Sequence, residues 1–170
     1  MALITMNYNS PTIGMHQNLT IILPEDITFF DSSRTAQLAI IMPNVDHSGY
    51  ANMVYGHSYY DYILEIYEYV HQILPLSRKR EDNFIAGHSM GGYGTIKFAL
   101  TQSNKFAKAA PLSAVFEAQR LIDLDWIDFS PQAITGRDTQ IKGTELDTYY
   151  LLDQAIDANV DIPELFIMCG

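Results

Sequence analysis

Cysteine and tryptophan occur once each in the 170 residues, and basic side chains are scarce, ten Lys and Arg against twenty Asp and Glu. With Cys169 alone no intramolecular disulfide can form, and no Cys or His cluster has zinc-site spacing, so neither a metal nor another cofactor is expected. The shortage of bases leaves a net charge of −10. That charge opposes capture of phosphate backbones and anionic headgroups, so no nucleic-acid or membrane partner is expected. No window approaches 18 consecutive apolar residues, and the first six residues lack the basic and long apolar stretches of a secretory signal. A cytoplasmic location follows as the expectation. What is plentiful is apolar surface: 48% apolar and only 18% charged residues describe a chain that folds around a core rather than staying disordered.

The acidity is uneven. Residues 1–112 carry nine acids and seven bases, whereas 113–170 carry eleven acids and three bases. A rim that disfavours anionic substrates and a plain solvated helical surface are both compatible with that pattern.

Residues 3–8 and 19–23 alternate apolar and polar positions, which predicts an edge hairpin. The unbroken apolar run 38–42, ended by Pro43-Asn44, predicts a strand buried on both faces of a parallel sheet. A polar loop spans 46–58. From 59 to 74 the period becomes helical, with Tyr59, Ile63, Ile66, Tyr67 and Val70 on one face and Asp61, Glu65, Glu68 and Gln72 on the other. The basic run Arg78-Lys79-Arg80, either an anion grip or a solvated loop, precedes a short buried strand at 83–87. A helix over 90–102 follows, with Ile96, Ala99 and Leu100 inward, then strands at 107–112 and 165–169. Residues 113–160 form an irregular, cap-like excursion with a helical stretch at 147–158, in which Trp126 and Phe129 either line a pocket or pack the excursion down. Strands alternating with helices predict one α/β domain over 1–170, a doubly wound, mostly parallel sheet with helices on both faces.

Gly87-His88-Ser89-Met90-Gly91 matches G-x-S-x-G and stands between a predicted strand and a predicted helix, the setting of a nucleophile elbow. A serine hydroxyl attacks well when a sharp strand-to-helix turn presents it in strained backbone geometry to a base. Gly87 and Gly91 remove side chains that would collide across the turn, and Gly92 and Gly94 allow the helix close to the sheet. The backbone N–H of Met90, first in the helix, is placed to donate to a developing oxyanion. A Gly-rich turn with an incidental serine is the plain alternative, and neither nucleotide-binding glycine motif is present.

The decapeptide from Ile85 to Gly94, with Met42-Pro43-Asn44 upstream and 163–170 downstream, resembles the esterase D-like branch of the α/β-hydrolases, most of all the tributyrin esterases. The resemblance implies a serine carboxylesterase that hydrolyses short-chain acyl esters through an acyl-serine at Ser89. Its partner would be a small-molecule ester, and self-association into a homo-oligomer is compatible with it.

Two pieces of that machinery are missing from the sequence. All five histidines, His16, His47, His57, His71 and His88, precede Ser89, whereas the fold places its acid and histidine after the nucleophile. The triad acid and base, with the C-terminal strand and helix, are therefore expected to be absent from these residues. Upstream, only 14 residues separate the 19–23 and 38–42 strands, too few for the strand, oxyanion turn and helix of the resembling proteins. A central strand is expected to be missing between 38–42 and 84–86. His47, in the loop after a strand, is a candidate substitute base or substrate contact, while loop solvation explains it as well. A non-catalytic hydrolase remnant or binding protein is the alternative function; a peptidase would share only the elbow.

Overall fold

The computed structural model describes residues 2–24, 38–123, 130–137 and 140–169. They form two compact units, one built from 1–46 and 60–76, the other from 47–59 and 77–170.

In the first unit β1 (Ala2–Ser10) and β2 (Met15–Leu23) make the expected antiparallel hairpin, Ala2 opposite Leu23 and Ser10 opposite Met15. Its turn closes where Gly14, at φ 66°, donates its N–H to the Ser10 carbonyl at 2.9 Å. Left-handed backbone of this kind carries no steric penalty for glycine. Alternation along β2 buries Leu19 and Ile21 completely. β3 (Ile40–Pro43) joins β2 antiparallel, with Ile22 opposite Ile40.

The run 38–42 departs from its predicted surroundings. Leu38, Ile40 and Met42 are 43–48% exposed, and β3 has β2 as its one neighbour among the described strands. Its composition is that of a strand buried on both faces, but Leu38, Ile40 and Met42 alternate onto one face, and that face is left largely uncovered among the described residues.

α1 (Tyr59–Ile73) turns Tyr62, Ile66 and Val70 inward, while Ile63 and Tyr67 are half-buried. Glu65, predicted on the solvated face, is half-buried instead. Its carboxylate accepts from the Tyr8 hydroxyl, from Ser10 Oγ at 2.8 Å and from the Thr12 N–H at 3.1 Å. Burial pushes this carboxyl up, but the bonds from Thr12, Tyr8 and Ser10 outweigh it and hold the group below its ordinary value. Three donors from the hairpin thus replace the water that helical periodicity assigned to this position.

The second unit holds a parallel sheet in the order β4 (Phe84–His88), β5 (Lys108–Leu112), β6 (Glu164–Leu165). α2 (Met90–Thr101) packs on β4 and β5. Every residue of α2 from Gly92 to Leu100 is buried, so the inward positions Ile96, Ala99 and Leu100 belong to a helix covered almost all round. Even Lys97 is buried; it pairs with Glu145 at 3.9 Å, and burial lowers its ammonium pKa against the opposing pull of Glu145.

β4, predicted buried, leaves Phe84 47% exposed, with Ala86 and His88 exposed on the same face; among the described strands it pairs with β5 alone. The predicted strand 165–169 shortens as well. Glu164 and Leu165 pair with Lys108 and Ala109, a separate bridge joins Met168 to Leu112, and Phe166 and Ile167 between them are exposed.

Arg80, in a single 3-10 turn (Arg80–Asp82), is an internal strut rather than part of an anion grip or a free loop. Its Nε donates to the Ser103 carbonyl at 2.8 Å, Nη2 donates to the Asp161 carbonyl at 2.9 Å, and Nη1 lies 3.0 Å from the Asp161 carboxylate.

Residues 113–160 include three helices, α3 (Ala118–Asp123), α4 (Pro131–Thr135) and α5 (Thr148–Asp157). Asp147 caps α5 by accepting from the N–H groups of Tyr149 and Tyr150, and α5 packs on α2. Trp126 and Phe129 lie outside the described residues.

Candidate active site

Ser89 joins β4 to α2 at φ 55° and ψ −115°, backbone angles that cost a non-glycine residue of order 1–3 kcal/mol and persist when neighbours enforce them. Both neighbours are visible. The Ser89 N–H donates to the Leu112 carbonyl on β5 at 2.9 Å, and the Ser89 carbonyl accepts from Tyr93 N–H at 3.1 Å, the opening bond of α2. The side chain is exposed. The amides of Met90 and Gly91 precede the first helical bond, among those that a helix leaves without an intrahelical acceptor.

The glycines of the run have separate tasks. A Cβ at Gly87 would lie 2.2 Å from the Gly91 carbonyl oxygen, so β4 can turn into α2 here only without a side chain. A Cβ at Gly92 would meet Ala114 at 2.7 Å and the Leu112 carbonyl at 3.1 Å, which fits the expected closeness of helix and sheet. Gly94 does something else: it makes room for the ring of Tyr50, 2.7 Å from where its Cβ would be. Tyr50 carries no motif, and sequence reasoning passed over it; an aromatic residue in the polar loop 46–58 was the available signal.

Beside the elbow lies an apolar cavity of about 20 Å³, lined by Met90, Tyr93, Ala118, Ile134, Ile141 and Leu146 among others. Tyr93, Ala118 and Ile141 form a buried cluster onto which Tyr50 and Met90 pack, and the Tyr93 hydroxyl donates to the Leu146 carbonyl at 3.0 Å. Burial, with Glu145 and Asp147 nearby, raises the Tyr93 phenol well above its ordinary value. Residues 113–160 thus supply much of the wall. Among the described residues no carboxylate lines the cavity; Glu164 pairs with Lys108 at 2.8 Å and Asp161 with Arg80, as befits a solvated surface.

His47 is exposed at the start of the loop; it does not line the cavity, although Gly49 does. His16 Nδ1 lies 2.7 Å from Asn7 Oδ1, and His71 Nδ1 lies 2.7 Å from the Tyr67 carbonyl. His88 is exposed beside Ser89. Among the described residues no group of three or more His, Cys, Asp or Glu is placed to hold a metal ion, and no helix is long and apolar enough to cross a membrane.

The sequence profile of the family described as "Putative esterase" matches residues 30–159. The chain belongs to this esterase family. It is 25% identical over 142 residues to an acetyl esterase of Caldicellulosiruptor saccharolyticus, covering 78% of this chain and 53% of that protein, so it spans about half the length of that curated relative. Two Staphylococcus aureus structures are each 61% identical to it over 99% of this chain and 79% of theirs. They are the fluorophosphonate-binding serine hydrolase FphF, substrate bound, at a TM-score of 0.92, and the S-formylglutathione hydrolase FrmB, apoenzyme, at 0.84. The fold of this esterase-family chain is accordingly that of the α/β-hydrolases, as its elbow implies.

Proposed function

We propose that this chain acts on short-chain carboxylic esters with Ser89 as nucleophile. Ser89 Oγ bonds to the acyl carbon as its proton passes to a base; the alcohol leaves with a proton, and water then releases the acid from the acyl-serine. The Met90 amide donates to the carbonyl oxygen while it carries negative charge. The observation that carries this reading is the strained backbone of Ser89 at the head of α2. The apolar lining beside Met90 supports an uncharged acyl group over an anionic one.

Because all five histidines precede Ser89, turnover by these 170 residues is set far below that of a complete triad; losing the base costs several powers of ten, with binding and oxyanion contacts sustaining the remainder. His47 is the candidate for a weak substitute base. The cavity lining, which includes no histidine among the described residues, favours a second reading, a non-catalytic hydrolase relative that binds a ligand.

A fluorophosphonate probe decides between them when labelling is followed over hours at high probe concentration, because capture needs a single attack by Ser89 and is still counted when the missing base slows it. Labelling of the chain that disappears in Ser89→Ala supports the esterase. A folded chain that takes no label supports the binding protein.

A further inference from the structure

Tyr50 has φ 56°, left-handed backbone that is an outlier for a bulky residue and must be held by its surroundings. Its N–H donates to Oγ of the fully buried Ser48 at 3.1 Å. The side chain lies along α2. A Cβ at Gly94 would meet the Cγ and Cδ atoms of the ring at 2.7–2.8 Å, and a Cβ at Gly91 would meet the hydroxyl at 3.4 Å. The step from Gly94 to Gly91 is about 4.5 Å towards the helix N-terminus, and Cα–Cβ bonds in a helix lean towards that same end. The ring therefore runs antiparallel to α2, base at Gly94 and hydroxyl at the amino end, beside the turn that carries Ser89 and Met90. Burial raises the phenol above its ordinary value, so the oxygen keeps its proton at neutral pH and can donate it in a hydrogen bond.

An acyl-transfer site gains from more than one donor aimed at the developing oxyanion, and the 14 residues between the 19–23 and 38–42 strands are, by the sequence reading, fewer than the resembling proteins use to bring a second amide. We propose that the Tyr50 hydroxyl is the second oxyanion donor, acting with the Met90 N–H on the carbonyl oxygen of an ester attacked by Ser89. The assignment rests on the esterase reading of Ser89. As the Oγ–carbon bond forms, the carbonyl π pair moves onto oxygen and both donors bond to it; Tyr50 keeps its proton throughout. When the pair returns and the leaving alkoxide departs, the bonds relax. Gly94 is then the position that lets a phenol reach the amino end of the nucleophile helix.

The test compares Ser89 labelling by a fluorophosphonate, and acylation by p-nitrophenyl acetate, in wild type, Tyr50→Phe and Tyr50→Leu. The Phe variant keeps the ring on Gly94 and loses only the hydroxyl. It is expected to label and acylate on the order of 10²- to 10³-fold more slowly, with an unchanged melting temperature and an unchanged KM. If Tyr50→Phe reacts like wild type and only Tyr50→Leu fails, the ring merely positions the helix and the donor role is overturned. If wild type itself takes no label, the esterase reading falls, and the role of the hydroxyl with it.

Discussion

Replacing Gly87 by alanine places a methyl carbon 2.2 Å from the Gly91 carbonyl oxygen and 2.4 Å from its carbonyl carbon. Comfortable non-bonded contacts lie near 3.5 Å, so the elbow has to open by roughly 1 Å. Neither partner can yield by changing a rotamer: both are backbone, held by the pairing of His88 with Leu112 and by the first turn of α2. Overpacking a tight interior costs typically about 1–3 kcal/mol, and a backbone collision belongs at the upper end. At about 2–4 °C per kcal/mol for a chain of this size, the melting temperature falls by roughly 6–12 °C. A displacement near 1 Å in a reacting group is worth on the order of 10² in rate, so Ser89 labelling slows by that factor. Gly91→Ala is the informative partner, because its methyl meets only the Tyr50 hydroxyl at an ordinary 3.4 Å, and alanine is favoured over glycine in a helix by up to about 1 kcal/mol. Its melting temperature holds or rises by about 2–4 °C. Thermal melts with labelling time courses on the three proteins are the assay. Equal losses in both variants, or no loss in Gly87→Ala, would refute the elbow geometry.

Two further outcomes concern the frame around the site. Glu65 has a folded-state pKa below its unfolded value, so its stabilisation is complete above about pH 4.5 and is lost as the pH falls through the lower folded value. Glu65→Gln removes charge-assisted bonds from the hairpin, costs about 1–3 kcal/mol near neutrality and flattens the acid limb; urea melts between pH 3 and 7 would show a parallel limb if the carboxylate were unimportant. Arg80→Ala unties Ser103 from Asp161 and speeds amide exchange around Glu164 and Phe166. Arg80→Lys is not expected to restore protection, because an ammonium cannot reproduce the guanidinium fork.

The parts of the fold read most readily from sequence are those whose signal is local. The hairpin, α1 and α2 follow from alternation and helical spacing, and the elbow follows from a motif in its required setting. The misjudged parts depend on partners far along the chain. The run 38–42 and the strand of Phe84 have core composition, yet their exposure is decided by what packs across their faces. Glu65 sits at a polar position of a helix, and only the approach of Tyr8, Ser10 and Thr12 makes it internal. Tyr50 was illegible for a related reason: its bearing on the elbow comes from a positive φ and from two glycines more than forty residues later.

β3 and β4 each keep an edge with no partner among the described strands, fringed by Leu38, Ile40, Met42 and Phe84. Open edges of that composition recruit other chains. Mutual repulsion between copies carrying a net charge of −10 opposes this, and that repulsion is titratable. It vanishes near the isoelectric pH of about 4.7. Colloidal stability of this chain is therefore an acid-limited property, with a solubility minimum near that pH and further erosion as salt screens the surface.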